Sequence, residues 1–235
     1  MVTNTTALAS AYKQFRAELT KAAQFHDADF THNAITRKRY QGVMQARANL
    51  LSALPDQPTA PAGTSRADYL ASRAPRTADT LAVAQHEFGI VTKLLEAGRP
   101  IEQIIRDASP TRLDAILANA EVLPKVLGSD DPAAVVTDLH GQVFDRLVET
   151  GESEAVSVAA SERDFVTSSA WHRVLSEAIE GMPTIGALSD LHNSDPEGYQ
   201  AVLSADPDRV VSAEVDATVT KLDRIAATGG LTAGV

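Results

Sequence analysis

LASAYKQFRAELTKAA, residues 8–23, decides the fold class. Its bulky apolar positions are Leu8, Tyr12, Phe15 and Leu19, followed by Ala22, in alternating steps of four and three. That spacing is the seam of an amphipathic or coiled-coil helix and not the period-two alternation of a strand. The next seam positions are His26 and Asp29, within QFHDADFTH, residues 24–32, so the stripe turns polar. Continued in the same frame, it meets Tyr40, Val43, Arg47, Leu50 and Leu54. Two arrangements fit: one helix of roughly 45 residues with a polar interruption, or two helices meeting around Asp27 to Thr31. Thr31 is a good helix cap, and the two-helix reading is preferred.

PDQPTAPAGTSR, residues 55–66, holds three prolines and one glycine and almost no bulky side chain. Proline removes a backbone donor and disfavours helix at the residue before it, so this stretch reads as an extended linker. A change of charge falls in it. Residues 1–54 carry seven Lys or Arg against three acids, a net +4, and the remainder carries −14, which together make the formal −10. The expected organisation is therefore a basic amphipathic helical arm (1–54), a Pro-rich linker (55–66), an acidic helical domain (67–228) and a flexible tail (229–235). Such asymmetry suggests two parts with different partners, or partners for one another.

Beyond the linker the pattern stays helical. Leu81, Ala84, Phe88, Val91 and Leu95 form one face, stopped by Gly98 and Pro100. Ser109-Pro110 opens a helix with Leu113, Ile116, Leu117 and Ala120 inward, and Pro124 starts a short one before Gly128. Asp131-Pro132 opens another, with Val135, Val136, Leu139, Val143, Phe144 and Leu147 as its stripe and Gly151 as its stop. A long helix from Glu154 to Glu180 turns Val158, Phe165, His172, Leu175 and Ile179 inward. Short helices around 185–191 and 196–203 follow, then a last one with Val211, Val215, Val219, Leu222 and Ile225 on one side. No Asn-Gly or Asp-Gly hairpin signal accompanies a period-two run, and no fixed repeat recurs. The predicted fold class is all-α: a helical arm, a linker and a multi-helix bundle-like domain.

Composition removes several kinds of chemistry. The chain has no cysteine, which excludes disulfides, thiolate nucleophiles and thiolate metal sites. The charged helical start and the lack of any run of eighteen apolar residues predict neither secretion nor membrane spanning, and a cytoplasmic setting fits. No G-x-S-x-G elbow and no phosphate-binding G-x-x-x-x-G-K-[ST] loop occurs.

Histidines and carboxylates offer weaker candidates. His26, Asp27, Asp29 and His32 have the donor types that hold zinc, manganese or iron, with 26, 29 and 32 at i, i+3, i+6. Six residues turn a helix by about 600 degrees, however, so the two imidazoles diverge by about 120 degrees unless the chain bends. His26-Asp27 resembles the HD dipeptide of metal-dependent phosphohydrolases, which need a further upstream histidine that this chain lacks. His86-Glu87 begins an HExxH pattern, but position 90 is isoleucine. His140 and His192 each lie two residues from an aspartate, a spacing that does not pair side chains on a helix. Asp131, Asp195 and Asp206 each precede a proline and read as helix caps.

Arg37, Lys38, Arg39, Tyr40 and Arg47 form a basic collar on the second arm helix. It reads as a solvated face, or as a contact for an acidic protein surface on its own body or on another copy. A nucleic-acid contact is possible but not favoured, because the whole chain is acidic. A two-helix arm of this size buries too little apolar surface to be stable alone, so its seam must dock on the body, on a second copy or on a partner. The interaction candidates are thus Leu8, Tyr12, Phe15, Leu19, Arg37, Lys38, Arg39, Tyr40, Val43, Arg47 and Leu50. The layout is similar in outline to the acidic, cysteine-free helical assembly and scaffolding factors of bacteriophage heads. The sequence therefore predicts a non-enzymatic interaction or assembly protein without a cofactor, self-associating or docking through its arm. A metal-dependent phosphohydrolase built on the 26–32 cluster and a nucleic-acid-binding protein are the alternatives.

Overall fold

The structure, a computed structural model, describes residues 4–205 and 208–230. It is all-α, with no strand among the described residues. The arm is two helices, α1 (Thr5–Ala23) and α2 (His32–Ala53). The polar stretch between them is the break, and Thr31 caps α2 by accepting from the Ala34 N–H. Next come α3 (Arg66–Ser72), α4 (Ala78–Glu96), α5 (Ile101–Arg106) and α6 (Pro110–Ala118). After a 3-10 turn at Ala120–Val122 follow α7 (Pro124–Leu127), α8 (Pro132–Glu149) and α9 (Ser153–Glu180). The chain closes with α10 (Ile185–Ser194), α11 (Pro196–Leu203) and α12 (Arg209–Ala227).

Local chemistry sets most of these boundaries. Ser109, Asp131, Thr184, Asp195 and Asp208 each accept a backbone N–H from the first turn that they precede. Gly98 and Gly151 end α4 and α8 with φ of 81° and 82°, a conformation that other residues adopt only with strain. Two short helices, α3 and α5, carry no long apolar stripe and are not evident from periodicity. Ser65 nevertheless caps α3 reciprocally: it accepts from the Asp68 N–H and donates to Asp68 Oδ2. Arg66, expected in the linker, is therefore a helical residue, and the segment without helix is 54–65.

Packing divides the chain differently from charge. Residues 1–60 and 163–235 form one compact unit, and residues 61–162 form the other. The tract 67–228, expected as one acidic domain, contributes to both, because the apolar seam of the arm is covered by helices from the C-terminal part of the chain. Asp206 and residues 231–235 of the expected tail lie outside the described residues.

In the first unit, Leu8, Tyr12, Phe15, Leu19, Val43 and Leu50 share a core with Trp171, Val174, Leu175, Leu191, Val202, Val215, Val219 and Leu222. Trp171 is fully buried, whereas His172, expected inward, is only half-buried. Its indole donates to Asp195 Oδ2 at 2.9 Å, while Asp195 Oδ1 accepts from the Gly198 N–H at 2.9 Å. In the second unit the core is built on Tyr69, Val91, Ile104, Leu113, Ile116, Leu139, Phe144 and Leu147. Leu81, expected on the inner face of α4, is 49 % exposed, because the first turns of that helix bury only Ala84.

Candidate interaction surface

The arm helices run antiparallel. Gly42 of α2 lies opposite Ala22 of α1 so closely that a Cβ at position 42 would stand 2.8 Å from the Ala22 Cβ. Further along, the Asn49 side-chain amide donates to Glu18 Oε2 at 2.9 Å. At the break, Arg39 Nε donates to the Phe25 carbonyl at 2.8 Å, tying the end of α1 to α2. One side of the hairpin meets α12 through two guanidinium–carboxylate pairs. Arg16 Nη1 donates to Asp216 Oδ1 at 2.8 Å, and Arg47 donates to both oxygens of Asp223 at 2.7 and 2.8 Å. Each arm helix supplies one arginine, and the two aspartates lie seven residues apart, two turns along the same helix. The fork to Asp223 raises the Arg47 guanidinium above its ordinary value.

Magnitudes separate the roles of these contacts. A large apolar side chain taken out of water contributes about 1.5–3 kcal/mol, so the six seam residues dominate the docking of the hairpin. The Arg47–Asp223 pair is partly exposed and is worth on the order of 1 kcal/mol or less. Arg16 is only 4 % exposed. For a guanidinium so buried, desolvation offsets much of the attraction, so the pair adds little over apolar packing, whereas removing its carboxylate partner alone is strongly destabilising.

The candidate residues thus divide between two faces. Leu8, Tyr12, Phe15, Leu19, Val43 and Leu50 are core residues of the first unit, and Tyr40 packs half-buried against them. Of the basic collar, Arg39 is engaged with backbone and Arg47 with Asp223. Arg37 and Lys38 are exposed, as are Lys13 and Lys21 of α1. Lys21 and Lys38 line a groove of about 380 Å³ between α1 and α2, whose apolar wall includes Ala22, Phe25 and Ala46. Asp216 and Asp223 escape sequence reasoning, because nothing local marks an acid on a helix as the partner of an arginine far away in the chain. Gly42 left a faint signal, a glycine within a helical stretch.

The other candidates do not assemble. His26, Asp29 and His32 are exposed, and Asp27 Oδ1 accepts from the Asp29 N–H at 3.0 Å, which shapes the turn. No group of three or more His, Asp or Glu converges on a metal position among the described residues. Glu87 accepts from Arg112 Nε at 2.8 Å, Asp138 from Gln142 at 2.8 Å, and the His192 ring meets Tyr199 edge-on at 5.0 Å. Among the described residues no helix is long and apolar enough to cross a membrane.

The second unit has a cavity of its own, of about 400 Å³, lined by Ala74, Pro75, Arg76, Thr77, Val83 and the Arg73–Asp114 pair. Arg73 also donates to the Tyr69 hydroxyl at 3.0 Å. Burial pushes the Asp114 carboxyl up, against the pull of Arg73. Comparison with family models, curated proteins and solved structures gives no match to this chain.

Proposed function

We propose that this chain is a helical protein–protein interaction or assembly protein of the kind represented by phage structural and scaffolding factors, working through its N-terminal hairpin. The observation that carries the reading is the two-faced construction of α1 and α2. One face is given to the core of the first unit. The other presents Lys21 and Lys38, with Glu18, on the lining of a groove with an apolar wall, and Lys13 and Arg37 are exposed elsewhere on the same two helices. Cations rimming an apolar groove suit an acidic protein segment, since long-range attraction brings it in and apolar contact holds it. The acidic remainder of another copy offers such a surface.

Light scattering over a range of concentration and salt tests this. A mass above that of the 24.9 kDa chain, falling as salt rises and lost in K21E/K38E, is the expected result. A single-chain mass at every concentration removes self-association. The exposure of Arg37 and Lys38 also allows a nucleic-acid reading. Duplex binding that weakens steeply with salt and is lost in R37A/K38A would transfer the function to that class.

A further inference from the structure

We infer that the α1–α2 hairpin is an exchangeable element, which closes the first unit of a second copy as it closes its own. The inference rests on the self-association proposed above and adds to the groove contact a second one, made by the opposite, core-facing side of the hairpin.

The hairpin and the helices it docks on are far apart in the chain: Arg16 and Asp216 are separated by 200 residues, and Arg47 and Asp223 by 176. Among the described residues the contacts between them include an apolar seam against Val202, Val215, Val219 and Leu222 and the two arginine–aspartate pairs, all made by side chains. A second copy presents the identical surface, so exchange loses and regains the same interface. What changes is the path of the connecting segment and the entropy of bringing two chains together.

The connection permits the open path. Residues 54–65 hold no helix and include Pro55, Pro58 and Pro61, which keep the backbone extended and resist a tight return. Twelve residues in that form reach about 40 Å, enough to carry the hairpin to a neighbour. Charge directs it: the arm carries +4 and the rest of the chain −14, so hairpin and acidic body attract within or between chains.

The two ion pairs supply the test. In R47D the hairpin meets its own α12 with like charges, and in D223R the same clash occurs with the sign reversed. Exchange between one copy of each variant relieves both clashes at once, restoring Arg47–Asp223 at one interface and the inverted pair at the other. The variants are unfolded in urea, mixed, refolded together and examined by native mass spectrometry and thermal melting. The doubly substituted R47D/D223R chain, in which the inverted pair forms within one chain, controls for folding.

The expected result is a mixed dimer that predominates over either homodimer and melts above both single variants, close to the double variant. Wild-type oligomers lost in K21E/K38E, together with single variants that stay random or separate on mixing, would overturn the exchange and leave self-association standing. Single-chain masses throughout would overturn both.

Discussion

Gly198 has no side chain because there is no room for one. A Cβ there would lie 2.3 Å from Asp195 Oδ2 and 2.6 Å from Trp171 Cζ2, closer than atoms can approach. The gap lets a single carboxylate accept both the Trp171 indole and the backbone that opens α11. Gly198→Ala must displace the indole or the cap, and overpacking of this kind costs about 1–3 kcal/mol. Because Trp171 is the chain's one tryptophan, its fluorescence follows the site directly. The urea midpoint by tryptophan emission should fall, and an unchanged midpoint would show that the site has room that the distances deny. Asp195 was legible beforehand as a cap by its place before Pro196, but its second partner was not, since position 171 lies on another helix.

Among the elements, the turn from α9 to α10 shows how electrostatics closes a helix pair. Glu177 Oε2 accepts from the Thr184 N–H at 2.6 Å, and its other oxygen accepts from Arg173, which also donates to Asp190 of α10. The bond from Thr184 comes first in holding the Glu177 carboxyl below its ordinary range, with Arg173 adding to it. A carboxyl lowered in the folded state adds stability above its unfolded value and loses it as pH falls through the folded one. Glu177→Gln should therefore melt below wild type at about pH 7, with the difference narrowing toward about pH 4. A difference that stays constant with pH would mean that the charge of Glu177 contributes nothing. The same turn leaves Met182 65 % and Ile185 87 % exposed, so its order depends on these polar ties more than on burial. Helix positions such as these were readable from glycine, proline and cap residues. Leu81 was misplaced because an apolar stripe shows which face could be buried, not whether another element covers it.

For the whole molecule, the arm is a structural member before it is an accessory. Nine of its residues, from Leu8 to Leu50, belong to the core that contains Trp171. Removing residues 1–54 uncovers the opposing faces of α11 and α12 and should shift Trp171 emission to the red and abolish its near-ultraviolet circular dichroism. A truncated chain with native emission would show that the first unit stands without its hairpin. Charge suggested a single division, at the linker; packing has a boundary there, between residues 60 and 61, and a second between 162 and 163, because net charge records what a segment repels or attracts while a core is assembled from apolar faces wherever they lie in the chain.

Helices, their breaks and their caps are written locally, since an i, i+4 hydrogen bond, a proline or a capping aspartate acts within a few residues. The seam of α1, the break at 24–31 and the starts at Pro110, Pro132 and Pro196 follow from those rules alone. Which helices share a core is not local. The joining of α1 and α2 to α12, and the choice of Asp216 and Asp223 from among thirty-one acidic side chains, depend on the shape of faces brought together only in the folded chain.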